Sequence, residues 1–162
     1  MPGTEDGVNA VIKDLSEADK IALDLAISEA RKSLDGEGVP IGAALTEFTA
    51  VLGSGHNERV QLNDPIAHGE IACLRNVGRR HSYRSTTLYT TLSPCPMCSG
   101  AILLFQIPRV VVGEATTYEG DLDFLRNQGV EVVLVNDERC IDLMHEFQNR
   151  FPEIWSEDIG GR

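Results

Sequence analysis

Two short motifs carry the residue types that could do chemistry in this chain. The first is His68–Glu70 (HGE), and the second is Cys95–Cys98 (CPMC), about a strand's length beyond it. A neutral imidazole and two thiolates are typical ligands of Zn²⁺. Either motif alone is weak, because H-x-E occurs by chance and C-x-x-C also fits a redox pair, half of a structural zinc site or two core residues. Together they predict one zinc ion per chain.

The number of ligands indicates which kind of zinc site this is. His68, Cys95 and Cys98 supply three ligands, while Cys73 and Cys140 stand alone within apolar patterns. A structural zinc ion takes four protein ligands, whereas a catalytic one takes three and keeps a position for water, whose pKa it lowers to about 7. The sequence therefore predicts a catalytic site.

Glu70 is the candidate catalytic residue. It lies two positions after His68, so in a helix it points away from the ligand and is badly placed to share the metal. It can reach the water instead, acting first as a general base and then as a general acid. The spacing matches the H-x-E…P-C-x-x-C signature of zinc-dependent nucleobase deaminases. A solvated helix charge is the alternative interpretation of Glu70.

Both motifs fall where a helix is predicted to begin, so helix starts would position the ligands. Apolar spacing and turn residues predict the elements around them. In chain order these are a helix from Ser16 to Gly36, a hairpin of Val39–Leu45 and Val51–Gly55, a helix over His68–Val77, strand Thr86–Leu92, a helix over Met97–Phe105, strands Arg109–Gly113 and Val130–Val135 with a helical pattern between them, and a helix over Glu138–Arg150. Continuous apolar strands are covered on both faces, which predicts an α/β fold with one sheet between helices.

Composition limits the class of partner and the compartment. The 162 residues carry a formal charge of −11, which repels phosphate backbones and argues against nucleic acid as a partner. Residues 1–15 lack the pattern of a secretory signal and predict a loose leader before a single domain at 16–162. No stretch is long and apolar enough for a membrane span. We expect a cytoplasmic protein, and residence in the nucleus as well stays open.

Beyond these motifs, the chain resembles the cytosine deaminases of fungi, members of the cytidine-deaminase-like superfamily. The resemblance covers nearly everything after the leader. It is carried by Gly38–Gly42 (GVPIG), Gly55–Asn57 (GHN), the HGE triplet, Leu88–Cys95 (LYTTLSPC), Asp137–Cys140 (DERC) and Glu157–Gly160 (EDIG). It implies a three-layer α/β/α fold with a central five-stranded mixed sheet, a homodimer, and hydrolysis of cytosine to uracil and ammonia, with 5-fluorocytosine also accepted.

The resemblance also implies roles for residues that bind the base. Asn57 and the backbone N–H of Gly69 would bind its carbonyl edge, and Asp158 would accept a hydrogen bond from the ring. Ser93 would offer its backbone carbonyl to the departing amino group, and Trp155 would close the pocket. Without the resemblance, a turn cap, ordinary packing and a solvated tail charge would be the preferred interpretations of Asn57, Trp155 and Asp158.

Tyr118 departs from the pattern, since the resemblance predicts a phenylalanine that covers the base. A hydroxyl there could add a hydrogen bond and shift the preferred base to isocytosine or another modified pyrimidine. The alternative is that it points to solvent and changes little.

Other interpretations stay open. The segment Gly100–Phe105 (GAILLF) is apolar on every side, which predicts either full burial or an oligomer interface, in agreement with a homodimer. A tRNA adenosine deaminase shares the zinc motif, but it must hold a polyanion, which the acidic charge opposes. A noncatalytic zinc module would leave Glu70 unexplained, and a C-x-x-C redox enzyme is weaker still.

Overall fold

A computed structural model describes residues 15–160, which contain a five-stranded sheet of order β2-β1-β3-β4-β5. The strands are β1 (Gly42–Glu47), β2 (Ala50–His56), β3 (Thr86–Leu92), β4 (Arg109–Glu114) and β5 (Glu131–Leu134). β1 pairs antiparallel with both β2 and β3, whereas β3, β4 and β5 run parallel. The sheet is therefore mixed, as predicted.

Helices cover both faces of this sheet. They are α1 (Glu17–Asp35), α2 (Arg59–Leu62), α3 (Gly69–Val77), α4 (Pro96–Leu104), α5 (Leu122–Asn127), α6 (Glu138–Arg150) and α7 (Pro152–Asp158). Alternate strand residues face opposite sides: Leu88 packs in a core cluster with Cys73 of α3 and Ile102 of α4, while Tyr89 packs in another with Ala26 of α1. The predicted three-layer α/β/α fold is confirmed.

Local sequence explains where the helices begin and end. The hydroxyl of Ser16 accepts a hydrogen bond from the backbone N–H of Asp19, whose side chain bonds back to Ser16, forming a capping box at the start of α1. α1 ends at Gly36. Further along, α1 packs so closely on the sheet that a Cβ at Gly42 would lie 1.9 Å from the Ala26 carbonyl oxygen. Only glycine fits there.

Three segments differ from the prediction. One is α2, a single turn over Arg59–Leu62 that no sequence pattern predicted. β1 begins at Gly42 and not at Val39, because Pro40 has no N–H to donate to a ladder and the Ile41 N–H turns back onto the Val39 carbonyl. The end of the chain, which had no predicted element after Arg150, forms α7. Pro152 stands in its first turn, where a missing N–H leaves no helical bond unmade.

The start of β1 and the carboxyl ends of β2, β3 and β4 lie at the same edge of the sheet. Because β1 is antiparallel to β2 and β3, Ile41 before β1 lies beside Asn57 after β2, and the Asn57 N–H donates to the Ile41 carbonyl. Ser93 after β3 meets the end of the parallel β4, where its N–H donates to the Glu114 carbonyl. Ligands of α/β proteins bind outside such carboxyl ends.

Two predictions concern the remainder of the chain. Most of the predicted leader lies outside residues 15–160, and Leu15 itself is buried. In the part of the chain that the structure describes, no helix combines the length and apolarity needed to cross a bilayer.

Candidate active site

The three predicted metal ligands meet at two helix starts. His68 is the N-cap of α3 and Cys95 is the N-cap of α4, while Cys98 lies in the first turn of α4. His68 Nδ1 lies 3.5 Å from Cys95 Sγ and 3.8 Å from Cys98 Sγ, and all three ligand atoms fall within 4.8 Å of one another. Among residues 15–160, this is the one group of three or more side chains able to hold a metal.

These distances and atom types fit zinc. Bonds of about 2.3 Å to sulfur and about 2.0 Å to nitrogen, arranged tetrahedrally, place neighbouring ligand atoms roughly 3.5–3.8 Å apart. The separations from His68 Nδ1 to the two sulfurs, 3.5 and 3.8 Å, need little adjustment to meet that geometry. One imidazole and two thiols leave a fourth position for a non-protein ligand, so a catalytic zinc ion fits.

The site prepares one cysteine to be a thiolate. The hydrogen bond from the Cys98 thiol, helped by bonds from His68 and the Cys98 N–H, outweighs burial and lowers the pKa of Cys95 to about 4. The same interaction and burial raise the pKa of Cys98. Burial opposes protonation of His68, but its bond to Cys95 and the nearby Glu70 carboxylate raise its pKa overall. A cation at this place would stabilise both thiolates.

Glu70 lies beside the ligand cluster and not within it. Its Oε1 accepts a hydrogen bond of 2.7 Å from Thr90 Oγ1, and its Oε2 lies 3.1 Å from Cys98 Sγ. The residue is only 4% exposed, and burial raises the pKa of its carboxyl above the usual range against the bonds from Thr90 and Cys98. A carboxyl with a raised pKa is suited to both accept and return a proton.

A cavity of about 220 Å³ opens onto this cluster. Its wall contains most of the predicted site residues, namely His68, Glu70, Ser93, Cys95, Tyr118, Trp155 and Asp158. Gly69 and Cys98 are buried. Gly69 packs on the strand entry, where a Cβ would lie 2.8 Å from the Ile41 carbonyl oxygen, so the first turn of α3 can sit this close only with glycine.

Asn57 is fully buried, and its amide is oriented by a backbone bond. The Arg59 N–H donates to Asn57 Oδ1 at 3.0 Å, which identifies that atom as the oxygen. The amide nitrogen, Nδ2, has no hydrogen-bond partner within residues 15–160. A buried donor without a partner is unfavourable by about 1–3 kcal/mol, so this group is suited to a ligand that supplies a carbonyl oxygen.

Asp158 reaches the cavity from α7 and is paired with Arg59. The Arg59 Nη1 to Asp158 Oδ1 distance is 2.7 Å, and the two side chains are only 11% and 5% exposed. Burial raises the pKa of Asp158, although Arg59 and His68 oppose the shift. Arg59 also donates to the Pro65 carbonyl, so it links α7 to the loop before His68.

The cavity roof is formed by two aromatic rings and the loop after β4. Tyr118 meets Trp155 edge to face, with ring centroids 6.2 Å apart. Glu114 shapes that loop by accepting bonds from the N–H groups of Thr116 and Thr117, and the Ser93 hydroxyl donates to the Glu119 carbonyl. Ser93 is thus anchored on both its amide and its hydroxyl.

Sequence reasoning missed Thr90, Arg59 and Glu114. Thr90 had the appearance of an ordinary β-branched strand residue, and Arg59 the appearance of a loop cation. His56 lies outside the ligand cluster, and its Nδ1 is 2.7 Å from Glu29 Oε2.

Comparisons with known proteins agree with this site. Residues 16–114 match the family model described as the cytidine and deoxycytidylate deaminase zinc-binding region. A cytosine deaminase of Candida albicans is 48% identical over 145 residues, covering 88% of this chain and 97% of that protein. A tRNA-specific adenosine deaminase of Streptococcus pyogenes serotype M1 is 38% identical over 103 residues, covering 62% of this chain and 60% of that protein.

Solved structures extend the comparison to the fold. A guanine deaminase from Nitrosomonas europaea superposes with a TM-score of 0.70 at 18% identity, covering 92% of this chain and 96% of that one. At that identity the likeness concerns architecture alone.

Proposed function

The chain belongs to the cytidine and deoxycytidylate deaminase zinc-binding family, and we propose that it hydrolyses free cytosine to uracil and ammonia. The observation that carries the choice of substrate is the small cavity, which α7 closes with Trp155 and Asp158 above the metal ligands. At about 220 Å³ it lies below the roughly 300–1,000 Å³ typical of drug-sized ligands, so it suits a single-ring base.

His68, Cys95 and Cys98 would hold the zinc ion. When bound, zinc supplies a Lewis acid that makes a water molecule acidic enough to attack near neutral pH. Glu70 takes a proton from the attacking water and delivers it to the ring nitrogen N3. The water oxygen forms a bond to C4. Glu70 then transfers the second proton of that water to the amino group, the C4–N bond breaks to release ammonia, and the C4–O bond becomes the carbonyl of uracil.

The remaining residues bind and orient the base. Asn57 Nδ2 and the Gly69 N–H donate to the O2 carbonyl, and Asp158 accepts from the ring N1–H. The Ser93 carbonyl accepts from the amino group, which aims the leaving group toward Glu70. Such positioning lowers the entropic part of the barrier. Tyr118 and Trp155 cover the ring and exclude bulk water.

Two features support a homodimer built on α4. Leu104, the last residue of α4, is 74% exposed, and Phe105, which follows it, is 42% exposed. Gly100 borders an apolar hollow of about 710 Å³ that extends to Phe124. Exposed apolar surface of this kind favours a partner, and we expect Leu104→Glu to shift the protein to monomers in sedimentation.

Isocytosine and adenosine in tRNA are the second candidates. Isocytosine stays a candidate because Tyr118 lines the cavity. Adenosine in tRNA stays a candidate because of the similarity to the Streptococcus pyogenes enzyme. Both would retain the same zinc site and the same use of Glu70, so only turnover of defined substrates separates them from cytosine.

The test measures ammonia release from cytosine, isocytosine, cytidine, adenine and an adenosine-containing tRNA stem-loop, with zinc-loaded and zinc-stripped protein. We expect zinc-dependent release from cytosine above all others. Glu70→Gln should lose activity by about 10²–10⁴-fold while keeping one zinc per chain. Glu119→Gln changes an exposed side chain in the loop after β4 and should keep wild-type activity. Faster turnover of another base, or unchanged turnover by Glu70→Gln, would overturn the proposal.

A further inference from the structure

We propose that Thr90 is a positioning residue for Glu70, whose hydroxyl holds one carboxylate oxygen so that proton transfer is confined to the other. The inference rests on the proposed function, because it assigns the oxygen of Glu70 that handles the proton. Its evidence is the geometry of the strand β3 and of the first turns of α3 and α4.

The two oxygens of Glu70 have different neighbours. Oε1 accepts a hydrogen bond of 2.7 Å from Thr90 Oγ1. Oε2 lies 3.1 Å from Cys98 Sγ, on the side of the metal ligands. Thr90 is fully buried, so no solvent molecule can replace its hydroxyl without a change in packing. Oε2 accepts from the Cys98 thiol in this structure, but as a metal ligand Cys98 would be a thiolate with no hydrogen to donate. The carboxylate is then held at Oε1 and available at Oε2.

The single hydrogen of the Thr90 hydroxyl has two acceptors within reach. Besides Glu70 Oε1 at 2.7 Å, the Leu92 carbonyl oxygen lies at 3.1 Å. A carboxylate is the stronger acceptor, and charge-assisted bonds are shorter and about twice as strong as neutral ones. The hydrogen therefore points to Glu70 Oε1, and the Leu92 carbonyl is the weaker, competing acceptor.

This arrangement decides where the proton resides during catalysis. Because Thr90 already donates to Oε1, that oxygen is the poorer site for a second hydrogen. The proton that leaves the attacking water binds Oε2 and passes from Oε2 to the ring nitrogen. The O–H bond of Thr90 stays intact throughout, so the hydroxyl neither gains nor loses a proton.

Without the hydroxyl, the carboxyl group could turn and carry its proton on the oxygen remote from the base. Each such turn removes a fraction of the bound complexes from the reaction. The loss would appear in kcat, since Thr90 does not line the cavity and substrate binding does not depend on it.

Thr91 offers a matched control on the same strand. It is 2% exposed, and its Oγ1 accepts a hydrogen bond of 3.1 Å from the Gly42 N–H on the opposite face of the sheet. Thr91→Val thus removes a buried hydroxyl with a comparable structural role and leaves Glu70 untouched. A purely structural effect would lower the melting temperature of both valine variants and kcat of neither.

The experiment compares kcat, KM, zinc content and melting temperature for wild type, Thr90→Val, Thr90→Ser and Thr91→Val as zinc-loaded full chains. We expect Thr90→Val to lower kcat about 10–100-fold, part of the about 10²–10⁴-fold that general acid–base catalysis contributes, with KM within about threefold. Thr90→Ser should restore kcat, and Thr91→Val should keep it. If Thr90→Val does not fold, Thr90→Cys, with a weak S–H donor, takes its place with the same expected loss.

Failure of the proposed function and failure of the Thr90 role can be distinguished, because the variants are compared on whichever base the wild type turns over. A wild type inactive on cytosine but active on another base counts against the proposed function, and the Thr90 comparison continues on that base. An unchanged kcat in Thr90→Val, or an equal loss in Thr91→Val, overturns the role of Thr90.

Discussion

Arg59 and Asp158 form a 2.7 Å ion pair between residues 99 positions apart in the chain. The pair closes α7 over the cavity, and it also orders both sides of the base site. The backbone N–H of Arg59 orients Asn57, and its guanidinium holds Oδ1 of Asp158, the residue that we propose accepts a hydrogen bond from the ring.

Replacing Arg59 should therefore weaken both binding and stability. Arg59→Met leaves Asp158 without its partner, and breaking a buried pair in this way is unfavourable by about 3 kcal/mol or more. We expect KM for cytosine to rise at least about tenfold and the free energy of unfolding in urea to fall. Arg126→Met removes an exposed pair with Asp123 and should change either quantity little. Equal effects of the two variants would contradict the assigned role.

Asn57→Asp tests the direction of the amide. The carboxylate keeps an oxygen for the Arg59 N–H but replaces the unpartnered Nδ2 donor with an acceptor that repels the base carbonyl. We expect kcat/KM for cytosine to fall about 10–100-fold, corresponding to about 1–3 kcal/mol. Asn76→Asp, at an exposed asparagine, is the control. A variant that keeps wild-type kcat/KM would show that Asn57 does not contact the base.

Cys95→Ser tests the metal site. A serine hydroxyl is a poor replacement for a thiolate, so zinc content measured by atomic emission should fall well below one per chain and activity should fall with it. Cys73 is also buried, yet it lies outside the ligand cluster. Cys73→Ala should keep one zinc per chain, and loss of zinc from it would mean that the assigned ligand set is incomplete.

Tyr118→Phe tests the base preference. The edge-to-face contact with Trp155 depends on the ring, which phenylalanine retains. We expect kcat/KM for cytosine to change less than about threefold and the ratio of cytosine to isocytosine turnover to stay constant. A large change in that ratio would show that the hydroxyl selects the base. Tyr118→Leu, which removes the ring, should weaken binding instead.

Asp19 provides a test of stability against pH, away from the metal. Burial alone would raise the pKa of Asp19, but bonds from Arg109, Tyr89 and Ser16 lower it to about 2 from 3.8. Because the folded pKa is depressed, the contribution is present above about pH 4 and is lost as the pH falls toward 2. It amounts to about 2 kcal/mol. The difference in unfolding free energy between wild type and Asp19→Asn should shrink below pH 4, and a difference that stays constant from pH 6 to pH 2 would contradict the assigned contribution.

The metal ligands were predictable from sequence because their signal is local. His68 and Cys95 lie where helices begin, and Cys98 lies one turn after Cys95. Zinc also accepts only a few residue types as ligands. The same holds for α1, whose Ser16 and Asp19 form a capping box. Short-range spacing determines each of these features.

The supporting residues were not predictable for the opposite reason. Arg59 depends on a partner 99 positions away, and Thr90 on one 20 positions away on another element. Nothing in the neighbouring sequence distinguishes Thr90 from the strand threonines around it. The helix α7 spans only seven residues, too few for a periodic pattern to be visible.

The ligand set makes the metal site sensitive to copper ions. Two sulfur atoms and one imidazole nitrogen form a soft site, and cuprous ions prefer such sulfur donors. Excess Cu⁺ would compete for Cys95 and Cys98 while the three hydrophobic core clusters still hold the sheet together. Copper would thus abolish activity without unfolding the protein, and removal of Cu⁺ by a selective chelator followed by addition of zinc would restore activity.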